Sequence, residues 1–353
     1  MSIVRCIFSA ILLALAIGGV FANRTVSAAD GFFLAIGGVD GRDAQGNKLE
    51  GQFGTLYTSE DGETWKEVFR GGPVKEDFTH ANNNMWRCAT YGNGRFVVTG
   101  NPKGVLVSEN GQDWRVINAP AGSMSVEYGN GLFLAPNAVG FLASKDGLEW
   151  ESLKPPVDFQ IWGAEGAGHV RQCVFGNGVF VCVGEQRLGV TRDGKTWLHH
   201  RLLTPEQRPG RSVLLFGNGR FVWLCEKTPS MTSTDGVNWT PIDLKLHEGE
   251  GAFGQHGAFD GKHFWTAAPH WKEPLKNVYR SEDGQTWTQA TQSKDLPAIT
   301  TAGNGLLLAN VGFSQSFRFS RDGGDSWKEV KVDVPSRKVY FFNGERIVGQ
   351  SGG

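Results

Sequence analysis

Seven times the chain repeats one short pattern: Ser or Thr, any residue, Asp or Asn, Gly, and shortly after it a Trp. The first copy runs from Ser59 to Trp65. The others are Ser108–Trp114, Ser144–Trp150, Thr191–Trp197, Ser233–Trp239, Ser281–Trp287 and Ser320–Trp327. Successive Trp residues stand 49, 36, 47, 42, 48 and 40 residues apart. Self-similarity at this period signals a chain of stacked supersecondary units, each unable to bury its apolar face alone. The pattern specifies architecture strongly and chemistry weakly.

A second motif interleaves with the first: aromatic-Gly-Asn-Gly-x-Phe, at Tyr91–Phe96, Tyr128–Phe133, Phe175–Phe180 and Phe216–Phe221. Weaker copies span Phe259–Phe264 and 302–307 and begin at Phe342. Asn-Gly between alternating apolar flanks is a strong hairpin signal, because a type I′ turn needs positive φ at two positions. Each unit is therefore two hairpins. Strands a and b meet at Gly-Asn-Gly, and strands c and d meet at Asp-Gly. Four short strands per unit, at a period of about 40–50 residues, describe a propeller blade. No stretch carries sustained helical periodicity with caps. The expected fold class is all-β, a β-propeller. Seven four-stranded blades follow most simply, and six or eight stay open. The C-terminal run Val339–Phe342 can complete the first blade, but Arg346–Val348 then competes with Phe32–Ile36 for one place.

Turn chemistry accounts for the repeat itself. The side chains of Asp61, Asn110, Asp146, Asp193, Asp235, Asp283 and Asp322 can accept turn amides, and the following Gly supplies positive φ. Trp65, Trp114, Trp150, Trp197, Trp239, Trp287 and Trp327 are large enough to fill the space toward a neighbouring blade. These Asp residues read as turn formers, not as seven catalytic acids.

The first 28 residues differ from the rest. Arg5 precedes an apolar run over 6–21, and Val26-Ser27-Ala28 suits a cleavage site, with Ala22 a second candidate. Residues 1–28 are expected to be a secretory signal peptide, with an uncleaved anchor as the alternative, and 29–353 to be a single propeller domain in a secreted or periplasmic protein. The net charge of -1 gives no field that would draw the chain to nucleic acid or an anionic membrane. A monomer without cofactor or metal is expected, since the Cys spacing matches no zinc pattern. Beyond Cys6 the chain has Cys88, Cys173, Cys182 and Cys225. If Asn177-Gly178 is a two-residue turn, Cys173 faces Cys182 at a non-hydrogen-bonded position, where side chains approach most closely. A cross-strand disulfide or two buried thiols would each fit.

The repeat resembles the Asp-box (BNR) repeat of sialidases and related propellers, S-x-D-x-G-x-T-W. Ser320, Asp322, Gly324, Ser326 and Trp327 match its spacing, with Ser for Thr, and the other six copies are one residue shorter. The resemblance implies a sialidase-like propeller over nearly all of 29–353. It does not by itself imply sialidase activity, because the repeat is shared by receptors, assembly factors and diverse glycosidases. Sialidases use three Arg for the substrate carboxylate, a Tyr–Glu nucleophile pair and an Asp acid. This chain has no N-terminal F/Y-R-I-P segment and no Tyr in a long connection.

Propeller topology places a–b and c–d turns on one face, and b–c and d–a connections on the other. The long stretches 38–54, 70–86, 153–169, 200–210, 245–256 and 266–278 all read as insertions on the second face. Function sits preferentially on variable loops held by a rigid scaffold. His80, His169 and His256, with Trp86, Trp162 and Trp271, fall there, as groups suited to a sugar ring. Arg87 and Arg171 each lie four residues before the hairpin aromatic of their blade and Arg211 five before its own, at about the same level, and suit an anionic group. Hydrogen bonds tying blades together are the alternative use of these Arg residues. Glu76, Asp77 and Glu165 are the candidate catalytic carboxylates if the protein is a hydrolase. The leading expectation is a binding module for a glycan or protein ligand. A glycan-active hydrolase other than a typical sialidase, and an assembly or scaffold factor, are the alternatives.

Overall fold

The computed structural model describes residues 31–42, 48–71, 86–100, 104–123, 125–137, 140–154, 172–184, 187–201, 203, 207, 209–210, 212–242, 257–268, 275–294, 298–303, 306–310, 316–331 and 336–348. The described elements are all β-strands, arranged as seven antiparallel sheets. The second blade joins β4 (Trp86–Gly92), β5 (Arg95–Gly100), β6 (Gly104–Ser108) and β7 (Arg115–Asn118). The third joins β8 (Glu127–Gly129), β9 (Leu132–Asn137), β10 (Gly140–Ser144) and β11 (Glu151–Leu153). The fourth joins β12 (Gln172–Gly176), β13 (Val179–Val183), β14 (Arg187–Thr191) and β15 (Trp197–Arg201). The fifth joins β16 (Ser212–Gly217), β17 (Arg220–Cys225), β18 (Met231–Ser233) and β19 (Thr240–Pro241). The sixth joins β20 (Gly257–Phe259), β21 (Phe264–Ala268), β22 (Leu275–Ser281) and β23 (Thr288–Lys294). The seventh joins β24 (Ala298–Gly303), β25 (Leu306–Asn310), β26 (Ser316–Ser320) and β27 (Lys328–Lys331). This is a seven-bladed β-propeller, which settles the blade count. No described helix is long and apolar enough to cross a membrane.

The first blade closes the ring. β1 (Phe32–Arg42), β2 (Lys48–Ser59) and β3 (Lys66–Arg70) supply strands b, c and d, and β28 (Ser336–Phe342) supplies strand a. Phe32 pairs with Phe342 as Phe180 pairs with Phe175 in the fourth blade. β29 (Ile347–Val348) therefore cannot take the b position. It pairs instead with the opposite, inner edge of β28, beside β24 and β4. The competition between the two ends of the chain is resolved by giving each one edge of β28.

Two stretches expected as irregular insertions are partly strand. β1 and β2 continue as a hairpin, with Val39 opposite Phe53 and Asp40 opposite Gln52, so 38–42 and 48–54 are strand. Strands β21 and β22 likewise pair Ala268 with Asn277 inside 266–278. Extending an existing ladder satisfies backbone groups that a bare loop would leave to water.

Apolar clusters lie between blades. Phe32, Leu34 and Tyr340 of the first blade pack with Phe96, Val98 and Leu106 of the second. The aromatic-Gly pair is the local device for this packing. A Cβ on Gly92 would lie 2.0 Å from Tyr128, and one on Gly129 would lie 2.1 Å from Phe175. The same holds for Gly176 against Phe216 and Gly217 against Phe259, at 2.2 and 2.4 Å. Each glycine thus leaves room for the aromatic ring of the next blade, which ordinary side chains would exclude.

Candidate functional site

On the face of the hairpin turns, the repeat residues act locally. Asp61 Oδ1 accepts the amides of Glu63 and Thr64, each at 2.7 Å. Ser59 Oγ accepts the Gly62 amide at 2.8 Å, and Trp65 Nε1 donates to the Gly62 carbonyl at 3.1 Å. Asp146, Asp193, Asp235 and Asp283 accept the matching pair of amides, and so does the amide oxygen of Asn110. Asp322 accepts the Ser326 amide at 2.9 Å, its turn being one residue longer. Trp114, Trp150, Trp197, Trp239, Trp287 and Trp327 each donate to the Gly carbonyl of their own turn.

These bonds hold the carboxylates in their charged form. For Asp235, partial burial pushes the pKa up, but the Asn238 and Val237 amides, the Asn238 side chain and Ser233 outweigh it and bring it down to about 2. Asp61, Asp146, Asp193, Asp283 and Asp322 are lowered as well. Carboxylates so low are ill-matched to general acid or base work near neutrality.

One role on this face is absent from any single repeat. The Asn of the a–b turn sits at positive φ, 48° at Asn93, 49° at Asn130, 47° at Asn177 and 46° at Asn218. Its carboxamide nitrogen reaches the next blade. Asn177 Nδ2 donates to Gly219 O at 2.8 Å and Thr234 O at 2.7 Å. Asn218 makes the same fork to Lys262 O and Glu282 O, and Asn130 to Gly178 O and Arg192 O. Asn93 makes a single bond, to Lys145 O at 3.3 Å. Each fork ties one a–b turn to both turns of its neighbour. In the sixth blade Asp260 takes the equivalent place and accepts its own turn amides and Trp265 Nε1 instead. Between the seventh and first blades, charge does similar work. Arg321 donates to Asp61 O and Glu63, and Lys328 pairs with Glu63 at 3.3 Å. In the sequence each Asn reads as a turn former only, since the partners of the forks lie 42–64 residues away.

Glu76, Asp77, His80, Trp162, Glu165, His169, Arg171, Arg211, His256 and Trp271 lie outside the described residues. Trp86 and Arg87 open β4, the innermost strand of the second blade. Trp86 is 5% exposed, edge-on to Phe69 at 6.3 Å, and packs where a Cβ on Gly54 would meet its Nε1 at 2.2 Å. Of the two readings open to this ring, a sugar platform or loop packing, the structure shows packing, in the seam between first and second blades, because Gly54 leaves a slot that fits it. Arg87 is half-buried beside the ring-closing strand, and its carbonyl accepts the Tyr340 hydroxyl at 3.1 Å. Close by, burial holds the Lys338 amine below its ordinary pKa, and Arg87 adds to this while Cys88 opposes it.

Cys173 and Cys182 are opposite each other in the β12–β13 ladder and are joined, with an S–S distance of 2.05 Å. Cys88 and Cys225 are buried free thiols, the latter pushed up to about 12 by burial.

No protein-family model matches this chain, and no curated protein matches it. Solved structures do. A protein from Lactobacillus plantarum superposes with a TM-score of 0.57 at 12% identity, over 88% of this chain and 98% of that one. The periplasmic gluconolactonase PpgL from Pseudomonas aeruginosa gives 0.54 at 11% identity, over 88% and 99%. The computationally designed Ika8 protein gives 0.51 at 9% identity, over 90% and 96%. At such identities the likeness is one of architecture, and the chain shares with these structures the fold of a β-propeller.

Proposed function

We propose that this chain is an exported, Asp-box-type, sialidase-like propeller that acts as a binding module. Its ligand, a glycan or a protein segment, engages the face of the b–c and d–a connections. The carrying observation is the engagement of the turn face. There the repeat carboxylates hold their own turns, and the Asn amides bridge to neighbouring blades. In this reading, ligand contacts are left to the other face. Arg87, Arg171 and Arg211 supply forked donors for an anionic group there, and His80, His169, His256, Trp162 and Trp271 supply further contacts. The segment 1–28 is removed on export in this reading.

A glycan array probed with the exported chain, followed by calorimetry on any hit, tests the proposal. Arg171→Ala and Arg211→Ala should weaken the hit about tenfold or more, the worth of a charge-assisted fork. Asp235→Asn on the turn face should leave it unchanged. If the two Arg variants bind normally, the face assignment is wrong. An array without hits removes the glycan half of the reading and leaves a protein ligand. N-terminal sequencing of exported protein beginning at Met1 would remove the signal-peptide part.

A further inference from the structure

Asn followed by Gly is a chemically labile pair, because a Gly leaves its amide nitrogen open to attack on the Asn side chain. Among the described residues, Asn93, Asn110, Asn130, Asn177, Asn218 and Asn343 each precede a Gly. Two of them form an internal comparison. Asn93 and Asn218 lie in the same hexapeptide, Gly-Asn-Gly-Arg-Phe-Val, at 92–97 and 217–222. Both are exposed, at φ 48° and 46°, and the space beside Gly94 and Gly219 is open. Neighbouring sequence and backbone φ therefore do not distinguish them.

What differs is how the carboxamide is held. Asn218 Nδ2 donates to Lys262 O and Glu282 O, each at 2.7 Å. Asn93 Nδ2 makes its one bond at 3.3 Å, to Lys145 O. Asn130 and Asn177 carry the full fork. Asn343 Oδ1 accepts the Glu345 and Arg346 amides at 3.0 and 2.9 Å. Asn110 is bonded to Gln112 and Asp113, and the Gly111 amide that would attack it is buried on Ser108 Oγ at 2.9 Å. Of these six residues, Asn93 has the most weakly anchored carboxamide.

We propose that Asn93 is a site of spontaneous deamidation, and that the inter-blade forks shield Asn130, Asn177 and Asn218 from the same reaction. The Gly94 amide gives up its proton, and its nitrogen attacks the Asn93 side-chain carbonyl carbon. The Cγ–Nδ2 bond breaks, and Nδ2 takes up a proton and leaves as ammonia. Solvent water then opens the cyclic imide at one of its two C–N bonds, leaving aspartate or isoaspartate. No electron is transferred, and water is the only co-reactant. To be attacked, the carboxamide must first turn out of its hydrogen bonds. Breaking a fork of two short bonds instead of one long bond slows this step about fivefold or more. The product sets a carboxylate where a donor faced the Lys145 carbonyl, so the seam between the second and third blades is the first to change. The reaction lies on the turn face and does not depend on the ligand reading.

Incubating the folded protein at mildly alkaline pH in water enriched in heavy oxygen, then mapping its peptides by mass spectrometry, reads each Asn separately. Asn93 should convert about fivefold or more faster than Asn130, Asn177 and Asn218. The same incubation in denaturing urea is the control. There Asn93 and Asn218 should convert at one rate, since their flanking residues are identical. Equal rates for Asn93 and Asn218 in the folded protein overturn the proposal. So does a difference that persists unchanged in urea, which would place its cause in the sequence and not in the forks. No conversion of Asn93 in the folded protein, over a time in which the urea-unfolded chain converts, overturns it as well.

Discussion

Replacing Asn177 by Gly isolates the inter-blade fork. Gly adopts the 47° φ of this position without strain, so the turn survives. What is lost is a pair of bonds, 2.8 Å to Gly219 O and 2.7 Å to Thr234 O, which join the fourth blade to the fifth. Both are solvent-exposed, so each contributes at the low end of the usual range, about 0.5–1 kcal/mol. The expected loss is about 1–2 kcal/mol. Asn177→Ala adds a Cβ in the left-handed region and should cost about 1–2 kcal/mol more. Asn93 provides an internal control, since its one bond at 3.3 Å predicts that Asn93→Gly costs less than half as much. Urea unfolding of wild type and the three variants, with the Cys173–Cys182 bridge kept oxidised, measures this as shifts in midpoint at constant slope. The reasoning is refuted if Asn177→Gly matches wild type while Asn177→Ala is destabilised. That outcome would make backbone conformation the whole role of the Asn.

Gly129→Ala should destabilise by about 1–3 kcal/mol, because its Cβ would lie 2.1 Å from Phe175, whereas Gly131→Ala, with open space around it, should show only the backbone penalty. Stability should fall on acidification. The turn Asp residues have folded pKa values below their unfolded ones, Asp235 at about 2, so the unfolded chain takes up protons first as pH drops below about 5. The urea midpoint should be flat above that and decline toward a pH of about 2, and a midpoint independent of pH across that window contradicts the turn-carboxylate account. Reducing the bridge between Cys173 and Cys182, 9 residues apart, should cost at most about 2–3 kcal/mol by loop-closure entropy, read from unfolding curves with and without reductant. In denaturant without reductant, only Cys88 and Cys225 of residues 29–353 should react with a thiol reagent.

Much of the turn face is legible in the sequence because its chemistry is local. Asp61 bonds residues two and three positions on, and Asn177-Gly178 sets a register that brings Cys173 opposite Cys182. The rest depends on which blades become neighbours. Asn218 finds Glu282, Gly129 receives Phe175, and Trp86 enters the slot left by Gly54 only after the ring has formed. A large apolar ring such as Trp86 is often buried, but nothing near it in sequence marks the slot that receives it.

Ring closure marks the boundary most clearly. Phe32 and Ile347 sit in segments with the same local pattern, and each can pair with Phe342. Local pattern alone determined seven repeated hairpin pairs and hence the blades. Tertiary structure decided that β1, bound to β2 and β3, takes the b position, since only that choice keeps a full sheet behind it. β29 was left with the inner edge, and that placement, invisible in the repeat, brings Arg346 into the channel opposite residues of distant blades.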